Sequence, residues 1–502
     1  MRLERDGGAV APRFSSSGSR MRRGVGLLCL VFGMPAALST VVRADFLDAQ
    51  HQVISGVTGP EASPAPSAHL SGAPLPSGPD APAFKDFLKV WSGWLDRVLI
   101  SRSPAAKDPA TAAYMEAAGR YITGDPAEIV KEHQLVAQGR SFNIQTVDDP
   151  GLLLLISVIE PFLPARLAAL DRAESLLPAS PYPKFIWFMV AANAGKTAAD
   201  SKADAAQLKE RDDLSLKYLA QGLADDSFQP SEVSVLRARL GANSVEDLIS
   251  RNAGQVAATL NTAARVPQWV KEYIEGVAAV EAAWKSRGAD WANHVSDQGW
   301  RGFSDNLAAA RTHLVKSWQL NPHDPAAAAE MITVCMGESE ATDTMRTWFD
   351  RAVAAEFDYM PAYKHFLWGL RPRWLGSFAD LTAIGRECAA TGRYDTLVPY
   401  ELVCVAMDIS SDADQPQAPF ANAAFSTEVL DVLDKYLAAP APIISQPYNQ
   451  TLAAILAHKL GHMDEVKRHL AAIDYAPLND RHLELLDDLP ALAREARAFA
   501  TP

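Results

Sequence analysis

From Phe84 to the C terminus, apolar residues recur at steps of three and four. Val270, Tyr273, Ile274, Val277, Val280 and Trp284 form one such face, the spacing of an amphipathic helix. Asp-Pro pairs punctuate the pattern at 108–109, 125–126, 149–150 and 324–325. At each, aspartate suits the N-cap and proline the first helical position. Ser244-Val-Glu-Asp247 reads as a capping box. No stretch alternates with period two between Asn-Gly or Asp-Gly turns, so strands are not expected. The pattern predicts an all-α fold of about twenty helices with short connections.

Part of the pattern repeats. Leu170, Ala173, Leu176, Pro178, Ser180 and Pro181 align without gaps on Leu314, Ser317, Leu320, Pro322, Asp324 and Pro325. Both align on Phe349, Ala352, Ala355, Phe357, Tyr359 and Met360, with Pro361 one place later; the second and third copies are 35 residues apart. A large apolar residue would pack inward, and Ala or Ser three residues on would let the next helix approach. A turn of prolines and caps would then reverse the chain. Leu452 to Leu460, Gly461, Asp464 and Val466 to Ile473 repeat the theme, with Gly461 suited to a helix C-cap.

A helix–turn–helix unit of about 34 residues is the tetratricopeptide period, and these segments resemble tetratricopeptide repeats. The stretch from Trp284 through Trp374 also resembles a group of exported bacterial proteins of unknown function. It does so at Gly288-Ala-Asp-Trp291-Ala, Gly299-Trp300-Arg-Gly-Phe303, Met331-Ile332, Met336-Gly337, Trp348-Phe-Asp-Arg-Ala352 and Leu370-Arg-Pro-Arg-Trp374. The resemblance implies a right-handed solenoid of stacked antiparallel helix pairs and no particular activity.

The N-terminal part is different. Arg20, Arg22 and Arg23 precede an apolar run over 24–42, and Val42-Arg43-Ala44 offers small residues where a signal peptidase cuts. Residues 1–44 are therefore expected to be a signal peptide, with Met21 as a possible true start and cleavage between Ala44 and Asp45. An uncleaved membrane anchor is the alternative, because the run is about long enough to span. Residues 45–83 are rich in Pro, Ser and Ala, the composition of a disordered linker, and suggest a bacterial exported protein. The helical part divides provisionally into N-terminal repeats over 84–268 and C-terminal repeats over 269–502. No other stretch is long and apolar enough to cross a membrane, so none is expected after cleavage.

Apolar residues make up 48% of the chain and charged residues 21%, enough for a sizeable core. Net charge is −13, and −18 once residues 1–44 with their seven Arg and two acids are removed. That balance argues against nucleic-acid binding. The remaining cysteines, Cys335, Cys388 and Cys404, are odd in number and lack a CxxC, so at most one disulfide is expected.

Several motifs carry possible chemistry. Gly195-Lys196-Thr197 has the ending of a phosphate-binding loop, and Leu152 to Glu160 has the look of its acidic partner strand. Val190 stands where the loop's first glycine is needed, which argues against it. His458 and His462 have zinc-ligand spacing beside Asp464, Glu465 and His469, but Gly461 should end the helix between them. No metal and no cofactor are implied. The remaining feature is a basic, aromatic segment in an acidic chain: Lys364, His365, Trp368, Arg371, Arg373 and Trp374. Arginine grips carboxylates and tryptophan stacks, so Lys364, Trp368, Arg371, Arg373 and Trp374 are the expected contact surface. The other reading is that the arginines bridge acidic neighbours.

The leading expectation is an exported, non-enzymatic scaffold, periplasmic or extracellular, that binds a peptide or protein on its concave face. The alternative is a secreted glycoside hydrolase or lyase on an (α/α) toroid. Eight of eleven Trp lie between Trp269 and Trp374, which would suit sugar stacking. Such an enzyme needs two facing carboxylates; Asp290, Asp297, Asp305 and Glu338 lie in that region, but nothing in the sequence pairs them.

Overall fold

The computed structural model describes residues 82–500, apart from 124, 126, 127, 129, 130, 241, 289–291, 440–443 and 445. The expected signal peptide, the Ala44–Asp45 cleavage site and nearly all of the 45–83 linker lie outside these residues. Among the described residues there are 21 α-helices and no strand, as the apolar periodicity requires. None of these helices is long and apolar enough to cross a membrane.

Three hydrophobic cores follow one another along the chain. The first runs from Trp91 to Ile274. It is built by α1 (Pro82–Leu95), α2 (Pro109–Ile122), α3 (Glu132–Ser141), α4 (Pro150–Ile159) and α5 (Leu163–Leu176). To these it adds α6 (Lys184–Asp200), α7 (Ala205–Ala224), α8 (Val233–Leu240), α9 (Asn243–Thr262) and the first half of α10 (Gln268–Arg287). The second runs from Val280 to Ile409. It takes in α11 (Asp297–Leu320), α12 (Ala326–Gly337), α13 (Thr342–Ala355), α14 (Met360–Gly369), α15 (Phe378–Ala390) and one face of α16 (Glu401–Asp412). The other face of α16 opens the third core, with α17 (Ala423–Leu437), α18 (Gln446–Lys459), α19 (Met463–Ala471), α20 (Arg481–Glu484) and α21 (Leu489–Ala500). Helices α10 and α16 each serve two cores, so the cores are joined by shared helices.

Packing is mostly between helices close in sequence. Helix α4 lies on α5, α6 on α7, α10 on α11, α12 on α13, α15 on α16 and α18 on α19, while α12 also packs on α10 and α14. The long-range exception is α8, which returns to α1. Trp94 Nε1 donates to the Ser227 carbonyl at 2.8 Å, and Arg97 pairs with Glu232 at 2.5 Å, closing the chain on its first helix.

Local signals act where the sequence places them. Asp108 accepts from Thr111 N, and Asp149 from Gly151 N and Leu152 N, each just ahead of a helix that starts with proline. Gly461 has φ 77°, with Gly461 N–H donating to the His458 carbonyl and His462 N–H to the Ala457 carbonyl. That pair of bonds is a Schellman motif, and glycine adopts its left-handed conformation without steric cost. The aligned apolar and small residues are the buried ones: Leu170 with Ala173, Leu314 with Ser317, and Phe349 with Ala352. Close approach follows at two glycines. A Cβ on Gly276 would meet Leu314 Cγ at 2.5 Å, and one on Gly222 would meet the Phe185 backbone nitrogen at 2.7 Å.

The structure places the rejected phosphate-loop motif in a helix and corrects the capping box. Gly195-Lys196-Thr197 lies inside α6, and Lys196 pairs with Asp200 at 2.5 Å, so its backbone N–H groups cannot turn onto a phosphate. Ser244 is within α9 rather than capping it, and Asp247 turns its carboxylate to Arg251.

Candidate functional site: buried and half-buried carboxylates

Many charges of the C-terminal half are paired across helices. On α11, α13, α15, α17 and α19, long side chains reach from one helix to another and are matched. Arg346 on α13 holds Glu387 on α15 through two bonds of 2.8 and 2.9 Å. Arg386 on α15 holds Glu428 on α17 at 2.7 Å, and Arg468 on α19 holds Asp434 on α17 at 2.8 Å. Bidentate guanidinium–carboxylate pairs of this kind fix the register of neighbouring helices.

Four glutamates lack such an ion pair with any described residue. Glu246 near the start of α9, Glu281 on α10, Glu330 on α12 and Glu401 at the start of α16 interact electrostatically with one another or with Lys364 of α14. None of these four carboxyls accepts a hydrogen bond from any described residue. Burial pushes Glu246 up to about 8, helped by the charges of Glu330 and Glu281 and opposed by Lys364. Burial and then Glu330 push Glu281 up to about 7. Glu330 is also raised by burial, against the pull of His365. Burial lifts Glu401 to about 8, with Lys364 opposing and Asp408 adding. Glu401 is 5% exposed, whereas Glu246, Glu281 and Glu330 keep part of their surface open. One oxygen of Glu246, Oε2, has neither solvent nor a hydrogen-bond partner.

Polar and aromatic residues border these carboxyls. Arg237 on α8 pairs with Asp324 at 2.9 Å and lies 6.0 Å from the Tyr359 ring. Burial works against its charge, but Asp324, Tyr359 and Glu356 outweigh it and the guanidinium pKa is raised. Tyr273 senses Tyr359, Glu330, Glu246 and Arg237. His365 Nδ1–H donates to the Ala329 carbonyl at 3.0 Å, tying α14 to α12.

The five binding residues expected from sequence are divided by the structure. Lys364 interacts electrostatically with Glu246 and Glu401. Arg371, 8% exposed, instead binds Asp408 at 2.5 Å and Asp412 at 3.1 Å, and Arg373 binds Asp412 at 2.8 Å. Both guanidiniums lie over the Trp368 ring, at 4.5 and 4.8 Å. Trp374 meets Trp284 edge-on at 5.8 Å. Trp368, Arg371, Arg373 and Trp374 thus brace the turn after α14 against α16 and α10.

Sequence reasoning did not find Glu246, Glu281, Glu330 or Glu401. No periodic signal marks them: Glu246, Glu281, Glu330 and Glu401 are separated by 35, 49 and 71 positions. The histidine group is dispersed. His458 Nδ1 bonds Asp487 at 2.8 Å, His469 Nδ1 bonds Gln450 at 2.8 Å, and His462 lies 3.4 Å from Glu465. Among the carboxylates considered for a glycan enzyme, Glu338 pairs with Arg311, Asp297 and Asp305 are exposed, and Asp290 lies outside the described residues. Cys335, Cys388 and Cys404 are free. Comparison of the chain with protein-family models, curated proteins and solved structures returns no match.

Proposed function

We propose that the chain is an exported, non-enzymatic scaffold, a tetratricopeptide-like right-handed solenoid that binds a peptide or protein partner on its inner face. One observation carries this reading: helices α10 to α19 pack mainly on their neighbours in the chain, and ion pairs link the alternate helices α13 to α15, α15 to α17 and α17 to α19. In stacked helix pairs one helix of each pair lines the concave surface and the other lines the back. The neighbour-on-neighbour packing of α10 through α19 fits an open stack and does not require a closed ring. Trp368, Arg371, Arg373 and Trp374 would form the braced rim of the surface, and Lys364 would lie within it.

The test uses the full chain, tagged, in its native compartment. A partner recovered by the wild type should be lost by Glu281→Arg/Glu330→Arg and retained by Asp297→Arg/Asp305→Arg, which alters exposed acids by the same charge. Loss in both, or in neither, removes the inner face from the reading. The glycan-enzyme alternative has one point in its favour, a carboxyl raised to about 7 beside a second carboxyl at Glu281 and Glu330. A proton donor near neutral pH is what glycoside cleavage needs. Release of reducing ends from a polysaccharide, abolished by Glu281→Gln, would replace the scaffold reading.

A further inference from the structure

Half-buried guanidiniums around the second core hold carboxylates. Arg311 on α11 takes Glu338 and Glu340, and Arg346 on α13 takes Asp350 and Glu387. Arg371 and Arg373 take Asp408 and Asp412. Arg351, five residues after Arg346 on α13, has neither an ion pair nor a hydrogen bond to any described residue. Two indoles hold it instead. Its guanidinium carbon lies 4.2 Å from the centre of the Trp348 ring and 4.5 Å from that of Trp318 on α11. The two rings meet edge to face at 5.6 Å. Trp348 is buried, whereas Trp318 and Arg351 keep part of their surface open. Arg351 Nε is sealed from solvent without an acceptor. Burial lowers the pKa of this guanidinium, with Cys335 opposing, and burial keeps that thiol protonated. Ring faces attract the cation, but they leave its fork of N–H donors without oxygen acceptors. A donor left unmade in such a place costs free energy that a matching acceptor recovers.

We propose that Arg351, Trp318 and Trp348 form a receptor for a carboxylate carried on an apolar group, whether the end of a peptide chain or a free organic acid. The planar guanidinium fork matches the two oxygens of a carboxylate. One guanidinium supplies one positive charge, which suits a monoanion. A phosphate dianion calls for a second cation, and Arg311, whose Nη2 lies 3.8 Å from Cys335 Sγ, is committed to Glu338 and Glu340. The acidic chain repels anions in general, so a ligand needs an apolar contact as well, and the open part of the Trp318 ring offers one. The two rings already restrict the long arginine side chain, which reduces the entropy lost on binding. This site is independent of the scaffold reading, whose test rests on Glu281 and Glu330 of α10 and α12.

The experiment titrates N-acetyl-phenylalanine with the full chain at pH 7 and physiological ionic strength, reading the broadening of the ligand's NMR lines. The acid should bind saturably with a dissociation constant on the order of 1 mM, as suits a small ligand with one charged contact. Its uncharged amide should bind at least about tenfold more weakly, the factor expected when a charge-assisted pair of hydrogen bonds is lost. Arg351→Gln should weaken the acid by the same factor and leave the amide unchanged. Arg301→Gln, which removes an exposed arginine of α11, should alter neither. Circular dichroism checks that each variant folds; if Arg351→Gln does not, Trp318→Leu carries the comparison, and unchanged binding of the acid there overturns the proposal. Equal binding of acid and amide overturns it, as does an equal effect of Arg351→Gln and Arg301→Gln. So does the absence of saturable binding, and so does displacement of the acid by inorganic phosphate at equal concentration. Phenylacetate binding as tightly as N-acetyl-phenylalanine supports the site and assigns it a free organic acid, while weaker binding of phenylacetate supports it and assigns a chain terminus.

Discussion

Glu401→Gln should make the protein more stable in alkali while leaving it unchanged in acid. A glutamate carboxyl ordinarily titrates near 4.5, and burial in the fold lifts Glu401 to about 8. Below the lower value both folded and unfolded chains hold the proton. Between the two values only the folded chain does, so stability falls as pH rises, and the loss is complete above the upper value. Each pH unit in that window is worth about 1.4 kcal/mol, which sets a ceiling of about 5 kcal/mol. Water entry and relaxation around a new charge reduce the penalty, so about 2–3 kcal/mol is expected. Glutamine keeps the shape and removes the titration. Urea unfolding of both proteins, followed by circular dichroism at pH 5 and pH 9, gives the comparison, with amide exchange in α16 reporting the local value. The variant should match the wild type at pH 5 and exceed it by that amount at pH 9. Taking the difference between the two proteins cancels Glu246 and Glu281, which are also raised, and Glu272, which Lys316, His313 and Gln268 hold down at about 2. If the variant is less stable at pH 9, the ionised carboxylate and Lys364 form a pair worth more than burial costs, and the reasoning fails. It fails equally if both proteins lose the same stability between the two pH values.

Three other outcomes are expected. Gly222→Ala should cost about 1–3 kcal/mol in urea unfolding, because its Cβ would sit 2.7 Å from the backbone of Phe185, which cannot rotate aside. Arg371→Gln/Arg373→Gln should lower stability by about 3 kcal/mol by leaving Asp412 without a cation, and Asp412→Asn on that background should restore part of it; an unchanged unfolding midpoint would return the two arginines to the contact surface. Intact-mass analysis of exported protein should find Asp45 at the N terminus, and a chain retaining 24–42 would favour the membrane anchor.

What the sequence determined by itself is the part governed by neighbours a few residues apart. Helical periodicity, the Asp108 and Asp149 caps, the Gly461 terminus and the burial of Leu314 with Ser317 all depend on contacts within a turn or two. A run of residues therefore reveals them. Even there, Ser244 shows the limit: its capping pattern gave way once Asp247 found Arg251 one turn on and Arg251 found Asp212 on α7. Which charges are matched was decided only by the tertiary structure. Arg371 and Arg373 look like free cations in the sequence, yet Asp412, 41 and 39 positions away, occupies both. Glu281 and Glu330 look like ordinary surface acids on amphipathic helices, yet packing α10 against α12 brings their charges together and crowds out the water that would solvate them. Charge pairing depends on distances between helices, and a pattern along one helix carries no record of what its neighbour presents.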